Sequence, residues 1–355
     1  MNIARRRWET FKQNKRAYVS LILFAFVFVW SLFAEFFAND KPLVVHFDDR
    51  TLFPFVQTLT ETDLGGDLDI LVDYKDPYTD ELLEKANWVI WAPVKFSYQS
   101  INDQAATHPA PPSTDNWLGT DDHGRDILAR LLYGFRLSVL FGFSLALVSS
   151  VVGVFFGLIQ GYYGGWVDLI GQRLMEVWSG VPVLFLIIII SSMLTMNFWL
   201  MLLVMLLFSW MHMVGLVRAE TLRARNQEYV RAARALGASD FRIMMVHVLP
   251  NALVAVIAVL PFTINGSIAA LTSLDFLGFG LPATYPSLGE LISQGKSNLF
   301  APWIGLSGFF TVAFLLTTLV FIGEGLRDAF DPSVYRSQGV RRQKKTEQVT
   351  MEESA

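Results

Sequence analysis

The chain has 355 residues, 53% of them hydrophobic and 17% charged, with a formal net charge of −4, a mean hydropathy of +0.40 and no cysteine. This balance excludes an ordinary water-soluble globular protein and a disordered one, since neither collects its apolar residues into long uncharged runs. The lack of cysteine excludes a disulfide framework, a thiolate zinc site and a cysteine nucleophile.

Residues 1–16 carry Arg5, Arg6, Arg7, Lys12, Lys15 and Arg16 against a single acid, Glu9. The apolar run that follows reaches Phe37 without a small-x-small cleavage pattern, so it predicts a retained membrane helix over 17–38 rather than a removed leader. Residues 39–135 hold 7 basic and 17 acidic residues, a large acidic insert long enough for structure of its own. Within it Glu61, Asp63, Asp67, Asp69, Asp73 and Asp76 lack the spacing of an EF-hand, which favours a solvated acidic loop over a calcium site. Pro109, Pro111 and Pro112 then stiffen the approach to the next helix.

Gly119, Thr120, Asp121, Asp122, His123, Gly124, Arg125 and Asp126 place three carboxylates and one histidine close together. That looks metal-like, but no second histidine is near. The carboxylates can equally cap the following helix and pair with Arg125 or Arg130, so the segment is read as an ordered lead-in without metal.

Uncharged runs then cover 137–167, 177–217, 248–274 (after His247) and 297–323. A helix needs about 20 residues to cross the hydrocarbon core. The run over 177–217 is therefore a hairpin turning near Thr195, Met196 and Asn197, its first limb starting before Pro182. His212, inside it, is expected to hydrogen-bond across a helix pair, as intramembrane ionisable groups must find partners. The count is six crossings. Basic flanks at 1–16, at 218–247 (six arginines against three acids) and after 324 place these on the cytoplasmic side, with the acidic insert outside.

Between the fourth and fifth crossings, Tyr229, Ala232, Ala233 and Leu236 recur at i, i+3, i+4 and i+7, one face of a helix beginning near Glu228. Gly237 supplies a turn at positive φ, Ser239 an N-cap, and Phe241, Met244, Met245 and Val248 the apolar side of a second short helix that Pro250 limits. This helix-turn-helix, tied at both ends to spans, can pass force to a partner; it can equally rest as a basic amphipathic loop on anionic lipid. Beyond it, Phe276, Gly278, Gly280, Pro286 and Gly289 predict a structured outer loop dipping toward the bundle, its backbone satisfied by protein or water. No catalytic triad, no G-x-x-x-x-G-K-[ST] loop and no nucleic-acid module is present, so the chain is not read as an enzyme and any ATP must be bound by another polypeptide.

Residues 228–237 with His247, Val248, Leu249, Pro250 and Asn251 resemble the "EAA" loop of permeases in binding-protein-dependent ABC importers. The Gly119–Asp126 and 130–136 segments, and Phe276–Gly280 with Pro286–Gly289, resemble the oligopeptide/dipeptide branch. Together these cover about 115–330. The resemblance implies an all-α polytopic bacterial inner-membrane protein of the type I importer permease fold, one N-terminal helix plus a five-helix core. It implies Glu228, Tyr229, Ala232, Ala233, Leu236, Gly237, Phe241, Met244, Met245 and Pro250 as the ATPase-coupling surface. It also implies a homologous second permease, cytoplasmic ATPase subunits using ATP with magnesium, and a periplasmic peptide-binding protein, with membrane lipid around the chain. ATP-driven closure of the ATPase pair would turn the permeases outward, and hydrolysis would reset them. The acidic insert resembles a subtype whose cargo includes oligopeptides and the peptide-nucleotide antibiotic microcin C. Two positions depart from the family pattern: Arg231 stands where a glutamate is usual, and His247 where an isoleucine is usual.

The expected layout is a cytoplasmic segment 1–16, a helix 17–38, an insert with its lead-in 39–135, a permease core 136–323 containing the 218–250 loop, and a cytoplasmic tail 324–355. A secondary transporter would need intramembrane acids for ion coupling, which are sparse. A channel, receptor or other non-transport scaffold would leave the helix-turn-helix unexplained.

Overall fold

The structure is a computed structural model that describes residues 3–47, 50–103, 105 and 107–330. The basic part of the tail, Arg336 to Lys345, lies outside the described residues.

Helix α1 (Ile3–Gln13) is amphipathic and ends where the Asn14 side chain accepts from the Ala17 amide to cap α2 (Lys15–Leu32). A short turn, α3 (Ala34–Phe37), completes the first crossing. The insert follows with β1 (Val44–Phe47), β2 (Arg50–Leu52), α4 (Pro77–Glu84) and β3 (Trp88–Ile90). The three strands form an antiparallel sheet in the order β2-β1-β3, with Val45 opposite both Leu52 and Val89. Val45, Leu59, Leu64, Leu82 and Leu83 form its small core. The membrane part is all-α, as expected. The insert adds a sheet and its own core to what reads in sequence as an acidic loop.

Helix α5 (Ile127–Tyr163) starts ten residues before the uncharged run does, because Asp126 caps it by accepting from the Ala129 amide at 2.8 Å. Helices α6 (Gly165–Ser179) and α7 (Val183–Met193) form one bent limb, angled by 59° at Gly180–Pro182. The chain turns at 194–197 into α8 (Phe198–Ala224). Then come α9 (Glu228–Ala235), α10 (Asp240–Ile243), α11 (Leu249–Phe276), α12 (Leu288–Ser297) and α13 (Pro302–Phe330). Among the described residues, five helices are long and apolar enough to cross a membrane, or six if the bent α6–α7 limb is one span.

The helices depart from the sequence reading at two points. The second short helix of the 218–250 loop is not separate: α10 runs through a π-helical turn, Met244–Val248, directly into α11. Pro250 has no amide hydrogen, and the widened turn lets the Leu249 amide reach the Met244 carbonyl, so the helix continues past the proline. His212 is exposed and makes no hydrogen bond across a helix pair among the described residues.

The bundle is held closest along α5 and α8. Gly153, Gly157 and Gly161, four residues apart, let the α5 backbone approach α8; a Cβ at Gly157 would lie 2.8 Å from the Val217 Cβ and 2.9 Å from the Val214 carbonyl oxygen. Gly157→Leu is expected to force these helices apart and to cost roughly 1–3 kcal/mol, read as a lowered unfolding temperature of the detergent-solubilised chain. Gly215→Leu, at a position with no atom within 4 Å of a built Cβ, is the matched control.

Candidate functional site

At the insert end of the bundle, two segments that read separately in sequence are locked together. Asp121 is fully buried; its Oδ1 accepts from the amides of His123 and Arg125, and its Oδ2 from the Arg125 Nε at 2.7 Å. Arg125 also reaches Glu290 Oε1 at 2.9 Å and the Ala283 carbonyl at 2.6 Å. Arg130, with no exposed surface, donates to Glu290 Oε2 at 2.5 Å and to the carbonyls of Tyr285 and Tyr98, while its Nε lies 3.5 Å from Asp121 Oδ2. Two arginines and two carboxylates thus tie the lead-in to the outer loop and to the end of the insert.

Asp121, Asp122 and His123 stand together beside this lock. Their ligand atoms lie within 4.8 Å of one another. Asp121 already receives four donors or cations, which makes it the hub of this junction. Asp126 accepts from Asn116 at 2.8 Å as well as capping α5, and burial pushes its carboxyl above the ordinary value against those hydrogen bonds. Gly119 and Gly124 both have φ near +80°, and a Cβ would meet Trp303 at the first and the His108 ring at the second.

In the outer loop, Gly278 (φ +80°) ends α11. Asp275 accepts from the Leu281 amide at 2.8 Å and from the Ser287 hydroxyl at 2.6 Å, closing the loop into a ring that Gly280 and Gly289 press against. The Pro286 carbonyl lies over Gly134, and the Lys296 ammonium sits 5.7 Å from the Phe276 ring centroid. Leu288 and Leu291 of α12 are buried in the main core with Phe135 and Ile304. The loop therefore does dip into the bundle, with its polar backbone satisfied by protein.

At the opposite end, α9 and α10 form a knob. Gly237 has φ +82°, with no atom within 4 Å of a built Cβ, and Ser239 caps α10 by accepting from the Arg242 amide. The expected apolar face of α9 divides. Val230 is fully buried and Ala233 half-buried against the chain, whereas Tyr229, Ala232 and Leu236 face out. Met244 is likewise buried, with Val230, Ile243 and Val217, so it holds the knob rather than displaying it. The outward surface is Tyr229, Ala232, Leu236 (88% exposed), Phe241 (67% exposed) and Met245. Glu228 and Pro250 border it, both exposed, as does Arg231.

The knob is fastened to three helices. The Tyr162 hydroxyl at the end of α5 donates to Asp240 at 2.6 Å and accepts from Arg234 at 3.1 Å. Arg225 donates to the carbonyls of Gly161 and Tyr162, filling the acceptor end of α5 with a cation. Asn251 donates to the Tyr229 hydroxyl at 2.8 Å and to the His247 carbonyl. Tyr162, Arg225 and Asp240 escaped the sequence reading; the basic residue next to a helix end at Arg225 was the available signal for one of them. The arrangement can transmit displacement, since an exposed apolar knob is rigidly joined to α5, α8 and α11.

The family model of binding-protein-dependent transport system inner membrane components matches residues 153–336, and that of the N-terminal TM domain of oligopeptide transport permease C matches 3–54. The chain is 56% identical to the inner membrane ABC transporter permease protein YejE of Escherichia coli (strain K12), over 92% of this chain and 96% of that one. It is 49% identical to the peptidoglycan transport system permease protein YejE of Agrobacterium fabrum, over 92% of each chain. Identity to the oligopeptide transport system permease protein OppC of Bacillus subtilis is 34%, over 69% of this chain and 81% of that one.

Proposed function

The chain belongs to the family of binding-protein-dependent transport system inner membrane components and is a peptide-type ABC importer permease subunit, and from that premise we propose that it moves oligopeptides or peptide-like compounds inward, driven by ATP hydrolysed in a partner. The observation that carries this reading is the knob. Leu236, Phe241, Tyr229 and Met245 are apolar side chains held in water-facing positions by a buried second face. Such a surface fits a groove in a soluble ATPase subunit. Both chain termini and the knob lie in the cytoplasm on this reading, supported by the basic residues at 1–16 and 218–247.

A push on the knob has two routes into the membrane. The helix from Asp240 to Phe276 is continuous, so displacement reaches the Asp275 ring at the far end. Tyr162 and Arg225 pass it to α5, whose other end carries the Arg130–Glu290 lock. ATP-driven closure of an ATPase pair would thereby shift inner and outer ends together. A second, homologous permease completes the path, and a periplasmic peptide-binding protein meets the side bearing the acidic insert. Microcin C falls within the cargo class, and the name of the Agrobacterium relative, a peptidoglycan transport system permease, adds peptidoglycan fragments as a candidate.

Purification of the intact complex through a tag on this chain, in mild detergent, is expected to recover an ATPase subunit, a second permease and, with peptide present, a binding protein. Recovery of the chain alone, from membranes in which an ATPase candidate is abundant, would point instead to the lipid-resting loop.

A further inference from the structure

Helix α6 has three faces, and only two of them are accounted for by protein and lipid. Asp168, Gly171, Gln172 and Met175 (i, i+3, i+4, i+7) meet the chain, with Gln172 donating to Gln160 of α5 at 2.8 Å. Val167, Ile170, Leu174 and Val177 form an exposed apolar face suited to lipid or to a second permease. Between them runs Leu169, Arg173 and Glu176 (i, i+4, i+7). Arg173 and Glu176 pair at 2.5 Å, yet their side chains are 70% and 58% exposed.

The depth of that pair follows from two contacts with α8. Asp168 holds Arg218 through two hydrogen bonds, and the Trp178 indole donates to the Leu207 carbonyl at 3.0 Å. The order is antiparallel, and the two contacts are ten residues apart on α6 and eleven on α8, about 15 Å along either axis at 1.5 Å per residue. Helix α6 therefore climbs beside α8 instead of lying flat at the surface. Arg173 and Glu176 sit between the two contacts, inside the span. Ionisable groups at such depth face a water-filled cavity or the interior of a bundle, not lipid. An open groove of about 460 Å³ runs beside them, lined also by Asp168, Gln172, Arg218 and Trp166.

We propose that Arg173 and Glu176 line the inner part of the peptide path, where a cation and an anion side by side meet the charged side chains of passing peptides. The assignment rests on the permease reading above and adds the residues that touch cargo. Because the chain has no cysteine, Arg173→Cys, Glu176→Cys, Leu174→Cys and Val177→Cys each introduce the one thiol in this subunit. In the assembled complex, in inside-out vesicles, a hydrophilic membrane-impermeant maleimide is expected to label the first two at least tenfold faster than the last two. Excess trialanine with ATP and the binding protein should slow that labelling. Glu176→Gln should raise the KM for trilysine at least fivefold while leaving that for trialanine within twofold, a split that a packing defect would not produce. Equal labelling at all four positions, or faster labelling at Leu174→Cys and Val177→Cys, overturns the assignment. A wild-type complex that takes up no peptide at all defeats the permease reading itself; in that case the labelling contrast still decides whether this face meets water.

Discussion

Replacing Arg130 with alanine is expected to cost roughly 3 kcal/mol, because it removes the fully buried cation of the lock and leaves Arg125 alone to hold both Glu290 and Asp121. An exposed pair of the same kind contributes at most about 1 kcal/mol, so the magnitude separates a lock from an ornament. The expected observation is a steep fall in the unfolding temperature of the purified chain and in its recovered yield. Arg130→Lys should rescue only part of the loss, since one ammonium cannot hold Glu290, Tyr285 and Tyr98 in the fork that the guanidinium does. Arg136→Ala is the control: its partner Glu35 is 44% exposed, and the change should stay near 1 kcal/mol. A loss below that value for Arg130→Ala would mean that the lead-in and outer loop are held by packing alone.

Gly237→Val should leave insertion normal while separating the knob from its ATPase. No atom lies within 4 Å of a Cβ built at Gly237, so the cost is conformational alone: about 1–2 kcal/mol for a side chain at this φ, and more for a β-branched one. If docking requires the native turn, that corresponds to roughly a 5- to 30-fold loss in ATPase recovered per inserted permease, with peptide-dependent growth abolished. Gly237→Asn, which tolerates the left-handed region, should retain most of it. Leu236→Asp tests the same contact from its most exposed side chain and should give the same phenotype with an unchanged unfolding temperature. Ala233→Asp is the poorer probe, as Ala233 packs inward with Val230 and would disturb the chain itself. Wild-type ATPase recovery in both Gly237→Val and Leu236→Asp would remove the knob from coupling.

What could be read from the sequence was what short-range pattern encodes. Uncharged run length pointed to the long apolar helices, and Gly237 with Ser239 announced the turn and cap now seen in the knob. Asp126 as a helix cap was within reach for the same reason. The rest depends on residues far apart in the chain. Nothing local marks Arg130 and Glu290 as partners 160 positions apart, or Tyr162 and Asp240 as partners 78 apart. The division of α9 into an inward Val230 and an outward Leu236 was hidden because both faces are apolar, so periodicity alone could not say which one meets the bundle. The sheet of the insert was masked by its acidic surface: only Val45 and a few leucines are fully inside, too few for a clear alternating pattern over strands of three or four residues.

The most direct test is uptake of a labelled oligopeptide into proteoliposomes carrying the complex purified through this chain. Uptake is expected only with ATP and magnesium on the side of the knob and the binding protein on the side of the insert, and it should persist when the proton and sodium gradients are collapsed. Peptide uptake that runs without ATP and stops with those gradients would contradict the account and make the chain a secondary transporter.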